Sequence, residues 1–286
     1  MIKSNNACYL IPNEFTVGII GGGQLGKMIG LEAKRMSMNI AILDPDANCP
    51  ASTIADKLII DDFKKESSIR RLAELSDVLT YEIELTNSSV LEELVSENYP
   101  VHPSPETLRI IQNKFRQKQF LKDNGIPVAR FERVDSLHEI QRKCSEFGYP
   151  VILKACEDSY DGRGNFIVHS SEDLKRGVSL FKRECMIEEL VNFSKEVSIM
   201  VARNTNGQIQ SFPVAENIHN RNILSTTIVP ARISELAARK IRELAVKTIE
   251  SLKGAGIFGI EMFVLDDDSI LVNEIAPRPH NSGHYS

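Results

Sequence analysis

Apolar and polar positions follow two different patterns along the 286-residue chain. Between residues 15 and 99, short apolar runs such as FTVGII and NIAILD are separated by segments with helical spacing, such as QLGKMIGLEAKRMS. Short buried strands that alternate with helices are typical of a parallel sheet. The pattern therefore predicts an α/β fold whose first domain, residues 1–102, is a Rossmann-like parallel α/β domain.

From residue 103 the pattern becomes typical of an α+β domain. One helix is predicted from about Ser104 to Gly125, because Pro127 just beyond it is a stop signal. Strand-like runs with polar turns follow, including VILKA, KEVSIMVAR and GQIQSFPVAEN, and one long helix around SELAARKIRELAVKTIESLKGAG interrupts them. Two more strand-like runs, GIFGIEMFVL and SILVNEIA, complete a second domain over residues 103–286.

Composition and charge argue against several classes of function. The net charge of −5 and the pI near 5.8 disfavour a general nucleic-acid-binding surface. No apolar run approaches the roughly 20 residues of a membrane span, so no membrane partner is expected. The five cysteines contain no CxxC pair and are predicted to be reduced thiols of a cytoplasmic protein. They are Cys8, Cys49, Cys144, Cys156 and Cys185.

A glycine-rich turn follows the first predicted strand. Gly21, Gly23 and Gly26 have GxGxxG spacing, and Asp44 ends the next strand where a dinucleotide fold places its ribose-binding acid. This arrangement would suit an NAD-dependent oxidoreductase. The alternative is a tightly packed strand-to-helix turn that needs glycine for steric reasons and presents a helix N-terminus to an anion. Gln24, at the tip of the turn, is the residue predicted to touch a ligand.

Two carboxylates occupy the last two predicted strands. If these strands form a hairpin in which Leu265 pairs with Ile270, Glu261 lies directly opposite Glu274. Like charges at facing positions are destabilising, so the pair requires a cation between the carboxylates or a raised pKa. Mg²⁺ commonly bridges a protein carboxylate and substrate phosphates, and the sequence predicts such a site here. The alternative is a register slip that turns one glutamate to solvent.

Two neighbours of Glu274 add to this chemistry. Asn273 offers a neutral oxygen ligand, and Arg278 offers a fixed cation. A guanidinium beside a metal suits a transferring phosphoryl or acyl-phosphate group.

The segment LKACEDSYDGRGNFIVH predicts a strand, a turn and a returning strand. Asp-Gly between apolar runs is typical of a plain β-turn, but a turn with two glycines and an arginine could also close over phosphates. Lys154 and Lys114 are candidate phosphate partners, or simply solvated surface lysines. Glu188 and Glu196 lie in apolar strands, from which a carboxylate could reach ribose hydroxyls.

Several motifs together resemble one enzyme family. GGGQLG, HPSP, LKA with YDGRGN, NFSKEVS, IVPARI and NEIAPRPHNSGH are similar to 5-(carboxyamino)imidazole ribonucleotide synthase, an ATP-grasp enzyme of purine biosynthesis, from about residue 15 onward. The resemblance implies that ATP phosphorylates bicarbonate to carboxyphosphate, whose carboxyl group is captured by the amine of 5-aminoimidazole ribonucleotide. It also implies an ATP-grasp domain with a lid subdomain near residues 127–186, a homodimer, and a C-terminal domain beyond Ser286.

The resemblance assigns roles to individual residues. For binding ATP it implies Lys114, Lys154, Ser159, Tyr160, Asp161, Gly162, Arg163, Gly164, Asn165, Glu188, Glu189, Leu190, Val191, Glu196, His219, Asn273 and Glu274. For binding the ribonucleotide it implies Gln24, Leu25, Glu82, Tyr160, Asp161, Arg163, His280, Asn281 and Ser282. Mg²⁺ would be held by Glu261 and Glu274, and catalysis would involve Arg278, Lys154 and Asp161.

The chain departs from the family pattern at three places. Asp158 and Ser159 replace a glycine pair before YDG, Leu85 replaces a polar residue, and Lys114 replaces an arginine and its bidentate fork. Three alternatives therefore stay open. They are another ATP-grasp ligase that uses formate or a different carboxylate, the NAD-dependent oxidoreductase, and a nucleotide-binding remnant without catalysis.

Overall fold

The structure is a computed structural model that describes residues 12–157, 164–175, 184–220 and 223–286. The chain divides into two compact units, with the division between Pro105 and Glu106. Among the described residues, no helix combines the length and the apolar character needed to cross a bilayer.

The first unit is built around a four-stranded parallel sheet with the order β3-β2-β1-β4. Its strands are β1 (Thr16–Ile20), β2 (Asn39–Asp44), β3 (Lys57–Ile60) and β4 (Val78–Tyr81). Its helices are α1 (Gln24–Arg35), α2 (Glu66–Glu74) and α3 (Ser88–Ser96). The chain leaves β1 toward β2 on one side and later returns as β4 on the other. The crevice at the carboxyl ends of β1 and β4 is therefore the topological switch point, where open α/β sheets bind ligands.

The second unit contains two antiparallel sheets, with the orders β5-β8-β6-β7 and β12-β11-β9-β13-β14, and β10 pairs with β9. Its strands are β5 (Phe131–Val134), β6 (Val151–Ala155), β7 (Asn165–Val168), β8 (Cys185–Glu189), β9 (Lys195–Arg203), β10 (Ile209–Ser211), β11 (Ala215–Asn220), β12 (Ile223–Ile228), β13 (Gly256–Val264) and β14 (Ile270–Ala276). Its helices are α4 (Pro105–Ile111), α5 (Lys114–Asp123), α6 (Leu137–Phe147) and α7 (Glu235–Leu252). The predicted fold class, α/β with an α+β second half, is confirmed.

The larger sheet has one apolar face and one polar face. Val197, Ile199 and Val201 of β9 belong to the core that also includes Ile241 and Ile249 of α7. Because side chains alternate along a strand, the intervening residues of β9 lie on the opposite face. The cross-strand register aligns polar residues of β11 and β13 with that face. These polar residues therefore lie on the face of the sheet opposite α7.

Two predicted elements have different bounds in the structure. The single helix predicted over residues 104–125 is two helices, because Asn113 has extended backbone angles and its side-chain oxygen accepts a hydrogen bond from the Arg116 N–H. The run GQIQSFPVAEN forms β10 and β11 with a break at Pro213, since proline cannot donate a ladder hydrogen bond. Helices α3 and α6 and strands β5 and β12 were not predicted.

The described cysteines are free thiols in the interior. Cys49, Cys144, Cys156 and Cys185 are all buried. Burial raises the pKa of Cys144 to about 11 and that of Cys156 to about 12, so both thiols stay protonated at neutral pH. The prediction of reduced thiols is confirmed for these four, whereas Cys8 lies outside the described residues.

Candidate active site

The hairpin of β13 and β14 brings two carboxylates together. Glu261 pairs with Glu274, as predicted, but the turn register is different from the prediction: Val264, not Leu265, pairs with Ile270. A bulge at Asn273 shifts the register by one residue between the turn and the glutamates: Val272 and Glu274 pair with Met262 and Glu261 of β13, and Asn273 between them pairs with neither. Without this bulge, the register at the turn would place Asn273, not Glu274, opposite Glu261. The predicted juxtaposition is therefore confirmed, although by a different route.

The two carboxylates have opposite pKa shifts. Burial, together with the negative charges of Glu274 and Glu196, raises the pKa of Glu261 to about 8. Burial would also raise the pKa of Glu274, but the positive charge and hydrogen bond of Lys114 outweigh it and lower this pKa to about 2. Lys114 Nζ lies 2.9 Å from Glu274 Oε2. The pair therefore lacks enough positive charge to hold both carboxylates ionised at neutral pH.

A second cluster of charges lies at β6 and β8. Lys154 Nζ donates a hydrogen bond to Glu188 Oε1 at 2.6 Å. Lys118 of α5 lies on the other carboxylate oxygen, with its Nζ 3.1 Å from Glu188 Oε2. Sequence reasoning missed Lys118. The only available signal was its four-residue spacing from Lys114, which places both lysines on one helical face.

Hydrogen bonds at the N-terminus of helix α5 hold it beside the site. The Lys114 N–H donates to the Cys156 carbonyl at the end of β6. The Asn113 amide donates to Glu157 and Glu184, at 3.0 and 3.2 Å. The cap at Asn113 makes Lys114 the first helical residue, so the break in the predicted helix directs this lysine toward Glu274.

Strands β9 and β11 contribute a carboxylate and an imidazole. Glu196 Oε2 lies 3.1 Å from His219 Nδ1. Burial raises the pKa of Glu196, and the electrostatic interactions with His219 and Lys154 oppose the shift. Glu196 pairs with Phe263 of β13, and Ser198, two residues further on the same face, pairs with Glu261. Glu196 is thus on the polar face of the sheet, together with the Glu261 carboxylate.

The loop after β14 packs an imidazole against the carboxylate pair. His280 Nε2 lies 3.4 Å from Glu261 Oε1, and His280 Nδ1 accepts a hydrogen bond from the Ser282 N–H at 3.3 Å. Burial, assisted by the charge of Arg278, lowers the pKa of His280 to about 4, so the ring is neutral at pH 7. With Nδ1 as acceptor, Nε2 carries the proton toward Glu261. Arg278 Nη1 donates to the Pro279 carbonyl at 3.1 Å, and Asn281 is exposed.

Several further residues predicted to bind the nucleotide lie in or next to strands β7 and β8. Glu189 ends β8 and is exposed, and Leu190 and Val191 follow it in the connection to β9. Asn165 begins the returning strand β7 and Gly164 lies in the turn before it, whereas Ser159, Tyr160, Asp161, Gly162 and Arg163 lie outside the described residues.

In the glycine turn of the first unit, acidic side chains accept hydrogen bonds from two backbone amides. The Gly22 N–H donates to Asp44 and the Gly23 N–H donates to Glu82, each at 2.7 Å. A side chain at Gly23 would lie 2.5 Å from the Glu82 carboxylate, so glycine permits this contact. Two amides that a dinucleotide fold would offer to a pyrophosphate are therefore already occupied. This arrangement disfavours the NAD alternative.

The residues predicted to face the ribonucleotide from this unit lie at the switch point between β1 and β4. Gln24 is the exposed first residue of α1, Leu25 is buried, and Glu82 follows β4 directly. Leu85, one of the three departures from the family pattern, is half-buried in the turn beyond Glu82.

The fold and the charge arrangement define the class to which the chain belongs. Residues 119–286 match the model of the ATP-grasp domain, and residues 15–112 match that of the ribonucleotide synthetase preATP-grasp domain. The chain is therefore an ATP-grasp protein with a preATP-grasp domain before it.

Similar proteins identify the family within this class. The chain is 40% identical to N5-carboxyaminoimidazole ribonucleotide synthase of Bacillus subtilis, over 94% of this chain and 71% of that protein. It is also similar to N5-carboxyaminoimidazole synthase from Aspergillus clavatus, whose crystal structure is a complex with ADP and 5-aminoimidazole ribonucleotide. The two sequences are 37% identical, and the structural match covers 96% of this chain and 73% of the Aspergillus chain with a TM-score of 0.89. The chain belongs to the N5-carboxyaminoimidazole ribonucleotide synthase family, as its motifs predicted.

A longer relative shares the same region. The chain is 44% identical to phosphoribosylaminoimidazole carboxylase of Candida glabrata, over 95% of this chain and 48% of that protein. The chain thus spans about half of this relative and about seven-tenths of the bacterial one. The predicted enzyme class, an ATP-dependent ligase of this family, is confirmed.

Proposed function

We propose that this chain uses ATP and bicarbonate to carboxylate the amine of 5-aminoimidazole ribonucleotide in purine biosynthesis. The observation that carries the proposal is the facing pair Glu261 and Glu274, whose combined charge calls for a cation beside a cluster of buried lysines. The Aspergillus clavatus relative, which binds ADP and this ribonucleotide, supports the choice of substrates.

Glu261 and Glu274 are suited to hold Mg²⁺. Magnesium takes one or two carboxylates and completes its coordination with water and substrate phosphates. Bound Mg²⁺ would neutralise phosphate charge and stabilise both carboxylates in their ionised form. Asn273, beside Glu274, offers an amide oxygen to the same ligand set.

The lysines are suited to the phosphates of ATP. Lys154 contacts the Glu188 carboxylate and Lys114 contacts the Glu274 carboxylate, and these contacts orient two ammonium groups, whose positive charge suits phosphate oxygens. Glu196, with His219 beside it, is a candidate for the ribose hydroxyls. The backbone after β8, at Glu189, Leu190 and Val191, is a candidate for the adenine edge.

The reaction proceeds through two transfers. A bicarbonate oxygen attacks the γ-phosphorus of ATP, the bond to the bridging oxygen breaks, and ADP leaves. The ribonucleotide amine then attacks the carbonyl carbon of carboxyphosphate, the carbon–oxygen bond to phosphate breaks, and the amine gives up one proton. Arg278 carries a fixed positive charge suited to carboxyphosphate. Neutral His280, with Asn281 and Ser282, is a candidate contact for the ribonucleotide, as are Gln24 and Glu82 of the first unit.

A coupled assay of ADP release tests the proposal. We expect release to require Mg²⁺ and bicarbonate and to increase with 5-aminoimidazole ribonucleotide. Formate in place of bicarbonate should give no product; formate-dependent turnover would instead identify another carboxylate-using ligase. Nucleotide binding without any turnover in a protein of verified full length would contradict the proposal and favour a binding remnant. A homodimer and a cytoplasmic location remain predictions, which light scattering and cell fractionation can check.

A further inference from the structure

Helix α5 carries a buried lysine that the proposed reaction has not used. Lys118 lies four residues after Lys114, so both side chains extend from the same face of the helix. Lys114 contacts Glu274 of β14, whereas Lys118 contacts Glu188 of β8. One helical face therefore supplies a cation to each of the two antiparallel sheets of the second unit.

The surroundings of Lys118 are almost closed to solvent. Its side chain is 4% exposed and that of Glu188 is 2% exposed. Burial lowers the pKa of Lys118, and the negative charge of Glu188 opposes this shift. Lysine and glutamate are almost never fully buried unless they are paired. The pairing of Lys118 with Glu188 is therefore what permits both residues to occupy this position.

Glu188 lies between two lysines. Lys154 contacts one of its oxygens and Lys118 the other, and Lys118 also donates to the Val272 carbonyl of β14 at 3.4 Å. These three side chains carry two positive charges and one negative charge. If Lys118 were absent, Glu188 would neutralise Lys154 completely, and the group would offer no net charge to a phosphate.

We propose that Lys118 is a positioning residue for the nucleotide phosphates, an inference that rests on the ATP site proposed above. It neutralises Glu188 from the side of the helix and holds the carboxylate against Lys154. The charge of Lys154 is then available to a phosphate, while Glu188 fixes the direction of its ammonium group. Lys118 thus acts on the nucleotide through Glu188 and Lys154.

Isothermal titration calorimetry with ADP and the full chain tests this role. In K118M, Glu188 neutralises Lys154, and we expect about tenfold weaker ADP binding, as for loss of a charge-assisted interaction. In K118M/E188Q the positive charge of Lys154 is restored, and we expect affinity to return to within about threefold of the wild-type value. A purely structural role predicts the reverse order, because the double variant removes more contacts.

A control on the same helix separates local charge from helix damage. Lys122, one turn beyond Lys118, is exposed, so K122M should bind ADP like the wild type. If K118M does not fold, the double variant decides, since it also removes the buried carboxylate whose second oxygen loses its lysine contact in K118M. A folded double variant with about tenfold weaker binding overturns the inference. Wild-type affinity in K118M also overturns it. Absence of ADP binding by the wild-type chain would instead overturn the proposed ATP site itself.

Discussion

The glycine turn of the first unit and the carboxylate hairpin of the second unit each contain two acidic side chains, with opposite consequences. In the turn, Asp44 and Glu82 each accept a backbone N–H at 2.7 Å. In the hairpin, Glu261 and Glu274 face each other across neighbouring strands. A carboxylate that accepts a backbone N–H is compensated within the fold, whereas one that meets another carboxylate requires a cation.

The difference follows from where each pair lies on its sheet. At the end of a parallel strand the backbone turns away, so the amides of Gly22 and Gly23 are free to bond side chains. In the middle of an antiparallel pair the strand ladder already uses the backbone amides. Glu261 therefore depends on side chains and ligands for compensation, which explains why its pKa is raised to about 8. Functional sites are often found where such compensation is incomplete.

The largest effect is expected from neutralising the hairpin carboxylates. Glu261→Gln and Glu274→Gln should each lower Mg²⁺-dependent ADP release by ~10²–10³-fold, the rate equivalent of losing a metal contact worth several kcal/mol. Initial rates across a Mg²⁺ titration measure this. Asp44→Asn, the matched change in the glycine turn, should leave the Mg²⁺ dependence unaltered. Equal losses in all three variants would show that the two carboxylate pairs do not differ in function.

The pH dependence of stability separates the two pairs without any substrate. The raised pKa of Glu261 lets the folded chain hold this proton up to about pH 8, whereas a glutamate in the unfolded chain releases it near the ordinary pKa of 4.5. Unfolding between these pH values therefore releases a proton, so the folded state loses stability as pH rises through this window. In metal-free protein, the free energy of unfolding of the wild type should therefore fall between pH 5 and pH 8 by on the order of 2–3 kcal/mol more than that of Glu261→Gln.

Urea unfolding in EDTA at both pH values provides the measurement. The Asp44→Asn variant is the comparison, because Asp44 lies in the turn, where the carboxylates are satisfied by amides. Parallel pH profiles for wild type and Glu261→Gln would contradict the raised pKa. Addition of Mg²⁺ and ADP should remove the difference in slope, since a bound cation stabilises the ionised form.

The sequence predicted the facing glutamates more reliably than the details of the hairpin. Alternation along two apolar strands was enough to place Glu261 and Glu274 together, but the turn register was wrong by one residue and the bulge at Asn273 was not predicted. A bulge depends on local backbone geometry that an alternating pattern does not encode. The one-residue difference at the turn and the bulge offset each other, so Glu261 and Glu274 pair as predicted.

Other parts of the site depend on contacts between residues that are distant in sequence, and no local sequence pattern indicates such contacts. Lys118 looks like any helical lysine, and its burial arises only when β8 and β14 pack around α5. Asp44 has the spacing of a ribose-binding acid, yet its partner is the Gly22 amide. The parallel and antiparallel halves of the fold were predictable, because strand spacing and intervening helices distinguish them along the chain.

The smallest effect is expected in the glycine turn, and it tests whether Asp44 is part of the scaffold. Asp44→Ala leaves the part-buried Gly22 amide without its acceptor and should lower the free energy of unfolding by about 1–2 kcal/mol, measured by urea unfolding. Asp46→Ala is the control, because the Asp46 side chain accepts from the Asn48 amide at an exposed position and its removal should change stability by less than about 0.5 kcal/mol. If Asp44→Ala instead preserved stability and altered binding of NAD, the turn would be a nucleotide site and the contrast with the hairpin would fail. The expected loss of stability, with no NAD binding in either protein, keeps the cation-dependent chemistry in the hairpin alone.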